Sequence, residues 1–145
     1  IRNRRLIRKF IRNAHKYNKK IITAEYPLEN KFFEFVLRFM ALSFNQKRYM
    51  HKKIDMVYTS VINNKIAEHY LEKQMGKGKE IYGKDYYAGF GVIGKGILKN
   101  EKQLTNKELE RDLSIAQKYG IKKVIIYRLG GIDKKKVSII RKFIS

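Results

Sequence analysis

The sequence contains no cysteine, and it has no long uninterrupted apolar run. The absence of cysteine excludes a disulfide framework, a zinc ribbon, an iron–sulfur cluster and a cysteine nucleophile. The most apolar stretch, residues 32–44, is interrupted by Glu34 and Arg38, and it falls short of the roughly 18–20 residues that a membrane-spanning helix needs. Any chemistry must therefore rely on oxygen and nitrogen groups, and no segment is expected to span a bilayer.

The amino-terminal end lacks both a starting methionine and the features of a signal peptide. The sequence begins at Ile1 and continues directly into a basic helical pattern, with neither an apolar central region nor a cleavage site. This beginning predicts a fragment of a longer chain.

Acidic residues are scarce, whereas basic residues are abundant. The 145 residues include 34 Lys and Arg against 13 Asp and Glu, which gives a formal charge of +21, yet 43% of them are hydrophobic and 12% are aromatic. That apolar fraction is normal for a globular protein and argues against a disordered tail. The length fits one domain or part of one.

The first 24 residues contain basic side chains and no acidic one. The apolar residues Ile7, Phe10, Ile11 and Ala14 recur at the spacing of one helical face. The basic side chains of this segment are Arg2, Arg4, Arg5, Arg8, Lys9, Arg12, Lys16, Lys19 and Lys20. We therefore predict a basic amphipathic helical arm over residues 1–20, followed by an α/β domain over residues 21–145.

Four segments have the β-branched and aromatic composition of strands. They are residues 21–25, 54–62, 86–93 and 122–128. The last is a short apolar run typical of parallel strands that are covered on both faces.

The helices expected between these strands differ in character. Residues 28–44 leave little polar face, which predicts a helix buried on more than one side. Asn63 opens a helix that is expected to reach Met75 and to break at residues 76–79. Thr105 and Glu108 match a capping box, Gly120 suits a helix end, and Asp133 can cap the last helix.

The order of these elements predicts an α/β fold with a parallel sheet. Short alternating connections indicate parallel strands joined by right-handed crossovers. The last two units, with a glycine-rich strand end and the turn at residues 124–133, resemble the closing units of a TIM-type (β/α)8 barrel. A complete barrel needs about 250 residues, so this chain would supply about half of one. A small open parallel sheet is the alternative.

Two glycine-rich segments are candidates for binding a phosphate group. Residues 89–94 match the spacing G-x-G-x-x-G, and under the barrel interpretation both segments follow the last two strands, where such folds often hold phosphate. The candidates are Gly89, Gly91, Gly94, Lys95, Gly96, Gly130 and Gly131. The next helix begins only at Thr105, unlike the dinucleotide-binding pattern, so a flexible or bulged strand end is the alternative.

Glu25 and Arg128 are the candidate catalytic residues. Each lies at the carboxyl end of a predicted strand, the side that carries chemistry in α/β folds, as do Tyr58, Ser60 and Tyr127. Glu25 could act as a general base. The alternative is a solvated loop residue, because the sequence places no second carboxylate beside it.

No metal site and no cofactor are predicted. His15, His51 and His69 are too far apart in sequence to share one helical face in a ligand motif. Each is interpreted as a surface or helix-face residue.

The charge pattern predicts association with a polyanion, either nucleic acid or an anionic membrane surface. Arg4, Arg5, Arg8, Arg12 and Lys16 are the predicted anion-binding residues, since an acid-free cluster repels itself unless a polyanion is near. The alternative is a fragment of a TIM-barrel-type enzyme that binds a phosphorylated or sugar-like small molecule. Further strand–helix units outside this sequence are expected partners, and the expected location is the cytoplasm or the inner face of a membrane.

Overall fold

The described residues form one helix followed by four strand–helix units. The computed structural model describes residues 2–27, 31–40, 43, 51–92, 102–127 and 129–144. The elements are α1 (Arg2–Lys16), β1 (Ile22–Glu25), α2 (Lys31–Phe39), β2 (Lys52–Val57), α3 (Asn64–Tyr82), β3 (Tyr86–Gly91), α4 (Asn106–Lys118), β4 (Val124–Tyr127) and α5 (Lys134–Arg141). This order confirms the predicted alternation.

The four described strands form a single parallel sheet in the order β1-β2-β3-β4. Ile22 pairs with Lys52, Lys53 with Tyr86, and Ala88 with Val124. The α/β prediction is therefore confirmed. Among the described strands the order never reverses, so they contain no switch point of the kind at which doubly wound folds bind ligands. The half-barrel stays a prediction.

The hydrophobic core lies between one face of the sheet and helices α3, α4 and α5. Strand side chains alternate between faces, and on this face the inward-pointing residues of β2 and β3 are fully buried. The core includes Val57, Tyr86, Ala88, Phe90, Leu71, Met75, Leu109, Leu113, Ala116 and Ile139.

Side chains and left-handed residues define the helix ends. Thr105 accepts a hydrogen bond from the Glu108 amide while the Glu108 carboxylate accepts one from the Thr105 amide, which is the predicted capping box. Asp133 caps α5 by accepting from the Lys136 amide. Gly120 has φ +64° after α4, as predicted, and Asn18 has φ +54° after α1. In both cases a hydrogen bond reaches back five residues, from Ile121 to Ala116 and from Lys19 to Ala14, which closes a Schellman motif.

The predicted break of α3 at residues 76–79 is wrong. The helix continues to Tyr82 because Gly78 lets it approach β3 closely. A Cβ atom at Gly78 would lie 2.1 Å from Cζ of the buried Tyr86 ring. The glycine therefore serves helix-to-sheet packing rather than termination.

The prediction that the helix of residues 28–44 is buried on more than one side is also wrong. The described helix α2 is shorter, and its phenylalanine side chains are exposed whereas Val36 and Leu37 are half-buried. Phe32, Phe33, Phe35, Phe39 and Met40 keep between 57% and 68% of their surface accessible. The sequence pattern shows how apolar a helix is, but it does not show whether another element packs against it.

Strand β2 begins and ends earlier than predicted. It covers Lys52–Val57 rather than residues 54–62, and Thr59–Val61 form a 3₁₀ turn. Thr59 leaves the sheet because its hydroxyl donates to the fully buried carboxylate of Asp112 on α4.

Candidate functional site

Four basic side chains follow one exposed line along α1. Arg5, Lys9, Arg12 and Lys16 are separated by four, three and four residues, so they share one side of the helix, and all four are exposed. At 1.5 Å per residue they span about 16 Å. We call them the basic stripe.

The basic stripe contains only part of the predicted anion-binding set. Arg5, Arg12 and Lys16 belong to it, whereas Arg8 is half-buried on the neighbouring side of the helix. The backbone of Arg4 is in α1, but its side chain lies outside the described residues. Lys9 belongs to the basic stripe although it was not among the predicted anion-binding residues, because its position on the helix aligns it with Arg5 and Arg12.

Large apolar side chains lie next to the basic stripe. Leu6, Phe10 and Tyr17, which we call the apolar strip, are 57%, 67% and 68% exposed. The domain-facing side of α1 is different, since Ile11 is buried and Ile7 and Ala14 are half-buried. Of the apolar residues predicted to form one face, Phe10 is therefore the one that stays exposed.

A buried ionic cluster lies between β1, β2 and α3. It consists of Glu25, Lys53 and Asp55, each less than 9% exposed. The Lys53 ammonium lies 3.5 Å from Glu25 Oε2 and 3.4 Å from Asp55 Oδ1. It also donates to the Tyr82 hydroxyl at 3.4 Å. The pairing of Glu25 with Asp55 across the sheet brings the two carboxylates to the same ammonium.

Glu25 is held by hydroxyl groups as well as by charge. Thr23 donates to its Oε1 at 2.8 Å, and Ser43 donates to its Oε2 at 2.7 Å. The buried His51 lies 4.0 Å from Oε1, and neither of its ring nitrogens has a hydrogen-bond partner among the residues that the structure describes. The interpretation of His51 as a surface or helix-face residue is therefore wrong.

The cluster shifts the ionisation of its members in different directions. Burial opposes the charge of Lys53, but Asp55 and Glu25 outweigh it and raise the pKa of Lys53 well above its ordinary range. Burial raises the pKa of Asp55 although Lys53 opposes that shift. Burial lowers the pKa of His51 despite the nearby Glu25. At neutral pH Lys53 is an ammonium ion and His51 is an uncharged imidazole.

This arrangement limits what the cluster can do chemically. A lysine that keeps its proton cannot act as a nucleophile. The adjacent cavity, lined by Ser43, Lys53, Asp55 and Tyr82 among others, measures about 50 Å³, whereas small-molecule sites measure about 300–1,000 Å³. It has room for a few water molecules. The catalytic role of Glu25 stays a prediction, and Arg128 lies outside the described residues.

The glycines of the predicted phosphate loops occupy different environments. Gly89 and Gly91 lie within β3, where Gly89 pairs with strands on both sides and Gly91 pairs with Tyr127 of β4. A Cβ atom at Gly89 would lie 2.9 Å from the Tyr127 ring, and one at Gly91 would lie 2.6 Å from the Tyr58 ring. These two glycines make room for aromatic rings. Gly94, Lys95 and Gly96 lie outside the described residues.

The second glycine segment follows β4. Gly130 and Gly131 belong to the 3₁₀ turn Leu129–Gly131, just before α5. Gly130 is exposed. The side chain that faces the start of α5 is the Asp133 carboxylate, which already occupies the capping position. The phosphate-binding role of this turn stays a prediction.

The described part of the chain contains neither a cluster of metal-ligating side chains nor a membrane-spanning helix. No three His, Asp or Glu side chains there stand close enough together to hold a metal ion. None of the described helices combines the length and the apolar character needed to cross a bilayer.

The sequence interpretation missed Lys53, Asp55 and Lys9. A signal for the first two existed, since Lys53 and Asp55 alternate with Ile54 inside an apolar strand segment. Charged residues at alternate strand positions face the same side of the sheet. If that side is buried, the two opposite charges are expected to form an ion pair.

Comparison of the chain with models of protein families, with curated proteins and with solved structures finds no match.

Proposed function

We propose that the protein associates peripherally with an anionic membrane surface through helix α1. The observation that carries this proposal is the exposure of the apolar strip directly beside the basic stripe. An interfacial helix needs both features, because its cations meet lipid phosphates while its apolar side chains enter the boundary between headgroups and acyl chains.

Both contributions have the magnitude that peripheral binding requires. Each Lys or Arg near an anionic leaflet contributes about 1 kcal/mol. Full burial of a Leu or Phe side chain contributes about 1.5–3 kcal/mol. The basic stripe and the apolar strip together therefore support reversible binding, and the net charge of +21 attracts the whole protein to the same surface.

A nucleic acid would contact the basic stripe but not the apolar strip. Phosphates would contact the basic stripe in the same way, but Leu6 and Phe10 would stay in water. The two polyanions are therefore distinguished by whether the apolar strip contributes to binding.

The test is co-sedimentation with vesicles of phosphatidylcholine alone and with vesicles that also contain phosphatidylserine. We expect binding only to the anionic vesicles. The triple variant Arg5→Gln, Lys9→Gln, Arg12→Gln should bind about a hundredfold more weakly. The double variant Leu6→Ser, Phe10→Ser, which keeps every cation, should also bind about a hundredfold more weakly, because two apolar side chains no longer enter the membrane.

A matched control separates the α1 surface from the overall charge. Lys107→Gln, Lys134→Gln and Lys135→Gln remove three exposed cations from α4 and α5, and this triple variant should bind nearly as tightly as the unchanged protein. Equal weakening by both triple variants would overturn the assignment to α1. Binding of oligonucleotides but not of vesicles, unaffected by the Leu6 and Phe10 substitutions, would assign the stripe to nucleic acid.

A further inference from the structure

Strand β1 has an edge with unpaired backbone groups. In the described part of the sheet it pairs only with β2. The Lys52 amide donates to the Ile21 carbonyl at 3.0 Å, and successive residues of a strand direct their backbone groups to opposite sides. Residues 21, 23 and 25 therefore face β2, while the N–H and C=O groups of Ile22 and Ala24 face the open edge. Both residues are exposed.

An apolar groove runs beside this edge. It lies between the second half of α1 and the beginning of β1 and has a volume of about 450 Å³. Phe10, Ala14 and Tyr17 form one wall, Ile21 and Ile22 form the other, and Lys19 and Lys20 line the groove at its basic end. The groove therefore offers apolar contacts, positive charge and open backbone groups within one region.

We propose that this edge binds an extended acidic segment of a partner protein as an additional β-strand. Main-chain hydrogen bonds to Ile22 and Ala24 would supply part of the affinity, and alternate side chains of the segment would enter the groove, as in other cases of strand addition. Charge complementarity selects the partner, because Lys19, Lys20 and the nearby Lys52 favour glutamate or aspartate on the same segment.

The same charges disfavour a second copy of the chain as the occupant. Edge-to-edge pairing would bring two domains of net charge +21 together, with Lys19 and Lys20 beside each edge. Lysine at an edge strand is a known protection against such self-pairing. An acidic segment is instead attracted electrostatically to the same lysines.

Three labelled octapeptides test the proposal by fluorescence anisotropy. The first alternates glutamate with valine, the second replaces glutamate by lysine, and the third keeps the glutamates but has proline at every second valine. We expect saturable binding of the first peptide. The proline peptide has the same charge but loses half of its valine N–H groups, so it should bind about tenfold more weakly. The lysine peptide should not bind.

One substitution on the protein isolates the edge. Ala24→Pro removes the outward N–H without touching the ladder to β2, a position at which edge strands tolerate proline. It should weaken binding of the acidic peptide about tenfold, whereas Ala24→Val should retain it. In the unchanged protein, bound peptide should slow hydrogen exchange at the amides of Ile22 and Ala24, a measurement that needs no variant.

Several results would overturn the proposal. Equal binding of the two acidic peptides would show that electrostatic attraction alone, without main-chain hydrogen bonds, accounts for the affinity. Unchanged exchange at Ile22 and Ala24 would show that the edge is not used. A dimer of the protein alone that Ala24→Pro dissociates would assign the edge to a second copy. Ala24→Pro should leave vesicle binding unchanged, so failure of either proposal is visible separately.

Discussion

The contact between Gly78 and Tyr86 shows how strongly one missing side chain can shape this molecule. The Tyr86 ring is buried beneath α3, and its hydroxyl lies 3.5 Å from the Gln74 carbonyl oxygen. The ring occupies the volume that any Cβ atom at position 78 would need. Because the ring is enclosed by the core, it cannot move aside without disturbing its neighbours.

Gly78→Ala should therefore destabilise the protein. Overpacking a well-filled core costs about 1–3 kcal/mol, which exceeds the gain of roughly 0.5–1 kcal/mol from replacing glycine by alanine within a helix. Urea denaturation would measure the difference.

Gly76→Ala is the matched control two residues earlier in the same helix. A Cβ atom there would lie 3.3 Å from the edge of the Tyr119 ring, which is half-buried and has room to adjust. This variant should be neutral or more stable than the unchanged protein. Equal destabilisation by both substitutions would show that the Tyr86 contact does not set the cost.

At the scale of single elements, the amino terminus of α4 is the best-defined helix end. Burial raises the pKa of Glu108, but hydrogen bonds from Lys102 and from the Thr105 amide outweigh it and lower that pKa to about 2. Lys102 lies 2.7 Å from the carboxylate. The ionised form of Glu108 is thus stabilised in the folded protein.

The stabilisation by Glu108 should depend on pH in a defined window. It is fully present above the unfolded-state pKa of about 4.5 and is lost as the pH falls toward 2. Thr105→Ala and Glu108→Ala should each cost about 1 kcal/mol at neutral pH. Chemical denaturation at several pH values should show the difference between the unchanged protein and Glu108→Gln shrinking below pH 4.5. A difference that stays constant down to pH 2 would contradict this account.

The boundaries of most elements follow from local signals, whereas their environments do not. Thr105, Gly120 and Asp133 were predictable because a cap requires only its own helix. The exposure of Phe32 and Phe35 on α2 was not predictable, since apolar periodicity carries no information about what lies opposite. The ionic cluster of Glu25, Lys53 and Asp55 depends on the register between β1 and β2, which the sequence does not specify.

At the scale of the whole molecule, basic residues greatly outnumber acidic ones. With a net charge of +21, repulsion within the folded protein opposes its compact state. The few acidic residues are mostly engaged, for example Glu72 with Lys118 at 2.6 Å and Glu110 with Lys142 at 2.9 Å. These exposed pairs contribute little to stability.

Salt should therefore stabilise the protein. Raising sodium chloride from about 0.01 M to about 0.15 M shortens the screening length from about 30 Å to about 8 Å. We expect the free energy of unfolding to rise by about 1 kcal/mol, the scale of one close like-charge pair in water. The triple variant of Lys107, Lys134 and Lys135 should show a smaller rise. A fall in stability with salt would mean that attractive ion pairs dominate.

The consecutive strand order also has a consequence for how the chain reaches its fold. Ile22 pairs with Lys52, Lys53 with Tyr86, and Ala88 with Val124, so each pairing joins one unit to the next and none joins distant parts of the chain. Such closures carry a modest entropic cost, because the loops between partners are similar and short. A chain of this kind can assemble its sheet one strand at a time, in the order in which synthesis delivers the strands.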